Sequence, residues 1–366
     1  MSKGNKKSGT KKYFLSAFFV LVVGIALTYL VSDAETFELT YDMTKTAPPV
    51  LDVLAYNKKM IELAGYGTTT LATGIIATSS AWTATTSSIS SPLHPWPAKT
   101  IYPNVGAILP FNRIVAYYGN FYSAAMGILG QYPTDVVIQK LKDVVSEWRA
   151  ADPTTPVIPA IDYIVVTAQG TPGADSKYRL RMPADQIEKA IAFADSIHGL
   201  VFLDVQPGQS DVQTEIPLLA QYLKLPEVEL AIDPEFSMKT GKAPGTIIGT
   251  MDASDVNYAA RYLANIVREN NLAPKMLLVH RFTEEMVTDY KKIAPLPEVE
   301  IIMNMDGWST PAKKIKVYNE VVSDEPVQFT GIKLFYKNDA LPPSSGLLTP
   351  AQILGLHAAP SFVEYQ

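Results

Sequence analysis

The sequence predicts an α/β protein, a (β/α)8 TIM-like barrel preceded by an N-terminal transmembrane helix and a Ser/Thr-rich linker. Three observations lead to this fold class. From residue 113 to the C-terminus, short apolar β-branched runs alternate with longer amphipathic segments. There are eight such runs in about 255 residues, which matches a closed barrel in number and length. No GxGxxG loop follows the first run, where the sequence is GNFYSAAMG, so an open doubly wound sheet is the less favoured alternative.

The first element of the chain is a candidate membrane span. Residues 13–31 contain no charged side chain over 19 positions, and a helix of that length covers about 28 Å, close to the hydrocarbon thickness of a bilayer. The basic tail of residues 1–12 carries five lysines, and acidic residues follow the span. This asymmetry predicts a signal-anchor with the tail in the cytoplasm and the C-terminal domain outside it, at the cell membrane. The small-x-small tripeptide ending at Ala34 leaves one alternative, a cleaved signal peptide and a secreted protein.

Residues 32–99 are interpreted as an extracytoplasmic spacer. Apolar residues recur at near-helical spacing between Pro49 and Gly65, which predicts a short helix over residues 50–64. Of the 25 residues from 67 to 91, 14 are Ser or Thr, and three prolines follow by Pro97. Such a composition is typical of an extended linker. The barrel is expected to occupy residues 100–366.

The eight apolar runs are the predicted strands. Because they are continuously apolar, each strand is expected to be buried on both faces, as in a parallel sheet covered by helices. The runs span residues 113–119, 162–168, 200–206, 228–234, 275–282, 300–306, 331–337 and 361–366. The amphipathic segments between them predict helices over residues 134–151, 184–198, 210–223, 254–270, 311–322 and 349–356.

Composition excludes several classes of function. The chain is 47% hydrophobic and 10% aromatic, enough for a large core. Without the five lysines of the tail, 26 basic groups face 36 acidic groups. Such a surface repels phosphate backbones, so nucleic acid is not an expected partner. The chain has no cysteine, which excludes disulfides, thiolate metal sites and cysteine nucleophiles.

Polar residues are concentrated where the predicted strands end. In a (β/α)8 barrel these ends converge on one rim, where active sites lie. Burying carboxylates there costs several kcal/mol unless they are paired or hydrated, so a functional site is predicted. The structural alternative is that these groups cap helices or pair with Arg281 and Lys337. The strand-end residues are Tyr117, Tyr118, Asn120, Thr167, Gln169, Asp204, Gln206, Asp233, Glu235, His280, Arg281, Asn304, Asp306, Tyr336, Lys337, Tyr365 and Gln366.

The segment LAIDPEF predicts the chemistry. Asp233 and Glu235 are two positions apart after an apolar strand, so both can point to one side. Two carboxylates in one pocket push their pKa values apart, which suits glycoside hydrolysis by an acid and a charged partner. We expect Glu235 to be the general acid and Asp233 its stabilising partner, with Asp204 and His280 positioning them. The residues expected to line the substrate site are Tyr117, Gln206, Asn304, Asp306 and Tyr336.

The Asp-x-Glu pattern of residues 230–236, placed after a fourth apolar strand, resembles the barrel glycosidases of the chitinase and lysozyme type that cut chitin or peptidoglycan. This resemblance implies an activity on carbohydrate of the cell envelope. The whole domain also resembles an uncharacterised family of secreted bacterial (β/α)8-barrel proteins, through LDVQPG, IDPEF, LLVHRFT and a final strand ending in Tyr-Gln. That likeness implies export and no particular reaction.

Two other functions remain open. Asp204, Asp233, Glu235, His280 and Asp306 are hard ligands that could bind Mg²⁺, Ca²⁺ or Zn²⁺ in a phosphodiesterase or deacetylase. No HxH, HExxH or GxSxG motif supports that route or a serine triad, and the hydrolase hypothesis calls for no cofactor. A domain that binds surface glycan or protein without turnover is the non-enzymatic alternative.

Overall fold

A computed structural model describes residues 50–65, 96–98 and 100–366 of the chain. No helix within these residues is long and apolar enough to cross a membrane. The predicted span of residues 13–31, the basic tail before it and most of the predicted linker lie outside the described residues. The described residues belong to one compact unit, which begins at Val50 and ends at Gln366.

Eight parallel strands form a closed barrel, as the sequence predicts. In chain order they are β1 Arg113–Gly119, β2 Val157–Ala168, β3 Leu200–Val205, β4 Val228–Ile232, β5 Lys275–Arg281, β6 Val299–Met305, β7 Phe329–Leu334 and β8 Phe362–Tyr365. Each strand pairs with its neighbours in sequence, β8 also pairs with β1, and the pairing of β1 with β2 completes the circle. The strands are buried almost throughout because side chains fill the interior and helices cover the outside.

Helices connect most of the strands. Helix α1, Val53–Leu63, precedes β1, and the connecting helices are α2 Thr134–Ala151, α3 Ala184–Ser196, α4 Ala253–Asn270, α5 Pro311–Tyr318 and α6 Pro350–Leu354. Beyond α5 the chain continues as a π-turn, Asn319–Ser323. A short strand, Arg179–Arg181, pairs antiparallel with β2, and Met251–Asp252 pairs with Val287–Thr288 in a separate two-stranded sheet.

The segment between β3 and β4 departs from the single helix predicted over residues 210–223. It consists of two helical turns, Val212–Glu215 and Ala220–Leu223, separated by a 3₁₀ turn, Ile216–Leu219. Pro217 lies at the start of that 3₁₀ turn. Proline has no backbone N–H and its ring clashes with the preceding turn, so a continuous α-helix is broken there.

Apolar side chains pack in two layers. The inner layer fills the barrel with residues such as Ala116, Phe202 and Ile302. The outer layer lies between the strands and the helices. In α2, for example, Leu141 and Trp148 are fully buried, and the indole N–H of Trp148 donates to the Tyr365 hydroxyl at 2.9 Å.

Helix α1 and the segment before β1 close the amino-terminal end of the barrel. Tyr56 and Met60 of α1 belong to the same apolar cluster as the barrel interior. The backbone N–H groups of Ile108 and Leu109 donate to the Glu300 carboxylate at 3.0 and 2.8 Å. On β4, Glu229 accepts from the backbone N–H of Met276 at 2.6 Å. Two fully buried carboxyl groups therefore belong to this closure rather than to the opposite rim.

Because of these two carboxyl groups, we expect the free energy of unfolding to fall as the pH rises. Burial raises the pKa of Glu300 to about 8 and that of Glu229 to about 7. A glutamate in the unfolded chain loses its proton at about pH 4.3. Above that pH the native state binds more protons, so the free energy of unfolding decreases until the folded-state pKa is passed. The decrease is at most about 1.4 kcal/mol for each pH unit that separates the folded-state pKa from the unfolded-state pKa. Urea midpoints at pH 5 and pH 8 test this expectation.

A matched pair of variants assigns the effect. Glu300→Gln keeps an acceptor for one of the two N–H groups, has no proton to lose, and should lessen the decrease between pH 5 and 8. Glu188→Gln, on the exposed face of α3, should leave it unchanged. An unfolding free energy that rises from pH 5 to pH 8 in the unsubstituted protein would contradict the prediction.

Candidate functional site

A cleft of about 590 Å³ opens at the carboxyl end of the barrel strands. This is the end at which (β/α)8 barrels carry their functional residues. The lining combines carboxylates, lysines and aromatic rings. The lining residues with polar or aromatic side chains are Tyr118, Gln206, Asp233, Glu235, Phe236, Phe282, Thr283, Asp306, Trp308, Ser309, Lys313, Lys314, Lys333, Phe335 and Gln366.

Three carboxyl groups meet in this cleft. Asp233 follows β4, Asp306 follows β6, and Glu235 lies in the 3₁₀ turn Pro234–Phe236. Each offers one oxygen within 4.8 Å of the others. Asp233 and Asp306 are buried and Glu235 is half-buried, so Glu235 is the most accessible of the three.

The backbone around Glu235 holds its turn in place. The Asp233 carboxylate accepts from the backbone N–H of Glu235 at 3.1 Å, and the N–H of Gly249 donates to the Glu235 carbonyl at 2.6 Å. A Cβ at Gly249 would lie 2.6 Å from the carbonyl oxygens of Glu235 and Pro234. Only glycine therefore lets the following loop approach this closely.

The surroundings of Glu235 and Asp233 raise the pKa of both groups above that of an exposed carboxyl group. Burial, together with the negative charge of Asp306, raises the pKa of Glu235 to about 7. Burial also raises the pKa of Asp233 well above its usual value, and the nearby Asp204 and Asp306 add to this although His280 opposes it. The surroundings of Asp233 therefore favour its protonated form, whereas Glu235 can gain or lose a proton near neutral pH.

A buried polar layer lies directly beneath the cleft. Every barrel strand contributes one inward-facing polar side chain to this layer, at or just past its carboxyl end except on β2, where Asp162 lies in the middle of the strand. In strand order these are Tyr118, Asp162, Asp204, Asp233, His280, Asn304, Lys333 and Glu364, and all of them are buried. Gly331 of β7 makes room for Asn304, since a Cβ there would lie 2.7 Å from its side-chain oxygen.

His280 is the centre of this layer. Its Nε2 lies 3.5 Å from Asp162 Oδ2 and 4.0 Å from Asp204 Oδ1, and its Nδ1 lies 3.3 Å from Asp306 Oδ2. Burial alone would lower the pKa of His280, but Asp162 and Asp306 raise it well above its usual value. The imidazole therefore connects the buried layer to one carboxylate of the cleft.

Lys333 contributes the other cationic group of the layer. Its Nζ lies 3.2 Å from Glu364 Oε2 and 3.1 Å from the centre of the Tyr118 ring. Burial alone would lower the pKa of Lys333, but Glu364 and the neighbouring carboxylates raise it above its usual value. The ammonium group is thus charged although it is buried.

Gln206 and Tyr118 link the layer to the cleft. The Tyr118 hydroxyl donates to Asp204 Oδ2 at 3.1 Å. The side-chain amide of Gln206 donates to the Tyr118 hydroxyl at 3.0 Å and to Asp233 Oδ2 at 3.3 Å. These bonds fix the orientation of Asp233 from below.

Within the described residues, Asp162, His280 and Glu364 each offer a ligand atom within 4.8 Å of the others, a spacing that a metal ion could bridge. The oxygens of Asp233, Glu235 and Asp306 meet the same criterion. The first group is buried in the layer, and the second faces the cleft. The buried group is thus shielded from solvent, as a bound cation would be, whereas the group at the cleft is open to a substrate to which it could transfer a proton.

The structure places the sequence-predicted residues in three positions. Glu235, Asp233, Gln206 and Asp306 line the cleft, and Asp204, His280 and Asn304 lie in the layer beneath it. Tyr117 and Tyr336 lie elsewhere, on the outside of the barrel, with their hydroxyl oxygens 3.2 Å apart. Strand side chains alternate between the two faces, so Tyr118 rather than Tyr117 faces the interior.

Three residues of the layer were not predicted from the sequence, namely Asp162, Lys333 and Glu364. Each is the only charged residue of its observed strand. That is the signal that could have identified them, because a charge in a strand buried on both faces must find a partner. Arg281, in contrast, faces the outer layer, where it donates to four backbone carbonyls and pairs with Glu325.

Comparisons with known proteins give a likeness to solved structures only. No family model and no curated protein matches the chain. A ruminal GH26 endo-β-1,4-mannanase is 12% identical with a TM-score of 0.33, the match covering 69% of this chain and 59% of the mannanase. The Bacillus subtilis mannanase man26 is 10% identical with a TM-score of 0.37, covering 70% and 81%. The cellulose synthase subunit Z of Clostridioides difficile is 9% identical with a TM-score of 0.35, covering 70% and 92%.

Proposed function

We propose that this protein is a glycoside hydrolase that acts on carbohydrate of the cell envelope, with Glu235 as the general acid. The observation that carries the proposal is a half-buried glutamate with a pKa of about 7, in an open cleft, within 4.8 Å of two further carboxyl groups. A group with that pKa can hold a proton at neutral pH and release it to a leaving oxygen.

The catalytic partner that we propose for Glu235 is Asp306 rather than Asp233. Burial raises the pKa of Asp233 well above its usual value, and both of its oxygens are engaged, because they accept from the backbone N–H of Glu235 and the side-chain amide of Gln206. Asp306 faces the cleft, and its Oδ2 lies 3.3 Å from Nδ1 of His280. Asp233 has a positioning role in this proposal, and the sequence-based prediction that Asp233 itself stabilises the reaction is the alternative.

The spacing of the two carboxyl groups predicts the stereochemical outcome. Inverting glycosidases keep their carboxyl groups about 6.5–9.5 Å apart to admit a water, whereas retaining enzymes hold them about 5–5.5 Å apart. One oxygen of Glu235 lies within 4.8 Å of one oxygen of Asp306, which is closer to the retaining than to the inverting spacing, so we expect retention. Glu235 would protonate the glycosidic oxygen while Asp306 bonds to the anomeric carbon; Glu235 would then deprotonate the water that releases the sugar.

Aromatic rings along the cleft fit a carbohydrate. Phe236, Phe282 and Phe335 line it, and Trp308 stands at its edge with 59% of its surface exposed. An indole that remains this exposed on a folded domain offers a flat apolar face to a sugar ring. Envelope carbohydrate as the substrate rests on the predicted anchor of residues 13–31, or on secretion after cleavage at Ala34.

The test is release of reducing sugar by the purified full-length chain from chitin, peptidoglycan and other β-1,4-linked glycans across pH 5–9. Since the general acid must be protonated, kcat/KM should fall about tenfold per pH unit above pH 7. Product anomers followed by NMR should show retention. Substrates with a good leaving group, such as nitrophenyl glycosides, should lose less activity at high pH because they need less protonation.

Other outcomes would change the assignment. Glycan binding without release at any pH would contradict the hydrolase and leave a domain that binds surface carbohydrate. A rate that rises steadily through pH 9 would contradict Glu235 as the acid.

A further inference from the structure

The buried layer beneath the cleft concentrates polar atoms that have no hydrogen-bond partner. Of the twelve such buried side-chain atoms within the described residues, six belong to this layer. They are Asp162 Oδ1 and Oδ2, Asp204 Oδ1, His280 Nε2, Asn304 Oδ1 and Glu364 Oε1. Buried polar groups are nearly always paired, so this many unpaired atoms in one place call for an occupant.

The second polar atom of three of these groups is engaged. Asp204 Oδ2 accepts from Tyr118, and His280 Nδ1 faces Asp306. Glu364 Oε2 faces Lys333 at 3.2 Å and accepts from the amide of Asn304 at 3.3 Å. One atom of each group is thus held by a neighbour while the other is free, which is how outer partners orient metal ligands.

The free atoms converge at distances that a metal can bridge. His280 Nε2 lies 3.5 Å from Asp162 Oδ2 and 4.0 Å from Asp204 Oδ1. Ligand atoms of Asp162, His280 and Glu364 all lie within 4.8 Å of one another. Nitrogen and oxygen ligands at about 2.0–2.2 Å from one metal are about 3–4 Å apart, so modest side-chain rotation completes the set.

The charge balance also calls for a cation. Asp162, Asp204 and Glu364 are fully buried. Lys333 is engaged with Glu364. Three carboxylates here face two cationic groups, Lys333 and a protonated His280, whereas a divalent ion that replaces one imidazole proton would balance all three negative charges.

We propose that Asp162, Asp204, His280 and Glu364 form a buried site for a divalent transition metal such as Zn²⁺. Imidazole with carboxylates suits Zn²⁺ better than the hard ion Mg²⁺. His280 binds through Nε2, giving up the proton there, and donates its Nδ1–H to Asp306. The metal thereby fixes the imidazole that orients a cleft carboxylate, and its binding does not depend on the reaction proposed for the cleft.

The test uses the full-length chain treated with EDTA and dialysed. ZnCl2 titrated by calorimetry should bind with a stoichiometry of one per chain and raise the Tm, while MgCl2 should do neither. Asp162→Asn should weaken Zn²⁺ binding by more than about 100-fold, because it removes a direct ligand. Glu229→Gln, at an equally buried carboxyl group at the other end of the barrel, and Glu235→Gln, in the cleft, should keep it.

Each alternative result overturns the site. If the unsubstituted chain binds no Zn²⁺, the carboxyl groups share protons instead. If Asp162→Asn binds as the unsubstituted chain does, the ion lies elsewhere, and loss only in Glu235→Gln would locate it among Asp233, Glu235 and Asp306. Should Asp162→Asn fail to fold, His280→Gln serves as the second variant, and the titration of the unsubstituted chain still decides.

Discussion

Glu235→Gln should lower kcat on a natural glycan by about 10²–10⁴-fold, the range that a positioned general acid contributes. The amide has the shape of the carboxyl group but cannot give a proton to the leaving oxygen. KM should change little, because the aromatic rings of the cleft remain. Initial rates of sugar release, with glycan affinity measured separately by calorimetry, check both statements.

Substrates with different leaving groups show whether Glu235→Gln has lost only its general acid or has a distorted site. Nitrophenyl glycosides depart with little protonation, so Glu235→Gln should retain much more of its activity on them than on a natural glycan. Glu284→Gln, at an exposed carboxylate in the loop after β5, is the matched control and should change kcat less than twofold (roughly the noise of a neutral surface change). Equal loss on both kinds of substrate would argue against an acid at this position.

The sequence was sufficient to predict the barrel because its strands are continuous apolar runs. Seven of the eight predicted strands begin within two residues of their observed starts, and the exception is β2. The start of β2 was predicted too late because Pro156 and Pro159 lie near it and proline is unfavourable in a central strand. Pro159 is tolerated because it pairs with β1 alone, before the pairing with β3 begins at Ala160.

That boundary error had a consequence for the site. With the strand starting at 162, Asp162 would lie at the amino-terminal end of the barrel, far from the predicted rim. In the structure it is six residues into β2 and faces His280. The pattern of apolar residues predicts which run is a strand. The height of a side chain along the barrel axis, however, depends on the residue at which the strand starts.

The choice between the two faces of a strand was the other limit. Tyr117 and Tyr336 were expected in the site from their position near strand ends, and both pack outside. A run that is apolar on both faces carries no alternation from which the inward face could be identified. Asp233 and Glu235 could be placed at the site without knowing which face of the strand points inward. Both follow the end of β4, where the chain turns over the cleft.

Lys333→Met should destabilise the fold by about 3–5 kcal/mol, the cost of removing one partner from a buried ion pair. The substitution keeps the length of the side chain but leaves Glu364 without its cation. It also removes the ammonium group from the face of the Tyr118 ring. Urea denaturation in the presence of EDTA measures the loss in unfolding free energy independently of metal binding.

A double-mutant cycle shows whether the cost arises from the pair. Glu364→Gln in the Lys333→Met background should recover part of the loss, because a neutral amide can remain buried where an unpaired carboxylate cannot. Lys337→Met, at an exposed lysine four residues further along the chain, should change stability by less than about 0.5 kcal/mol. Additive losses in the double variant would mean that the buried carboxyl groups hold protons and that Lys333 contributes only packing. The floor of the cleft would then be a neutral hydrogen-bonded network and not one of balanced charges.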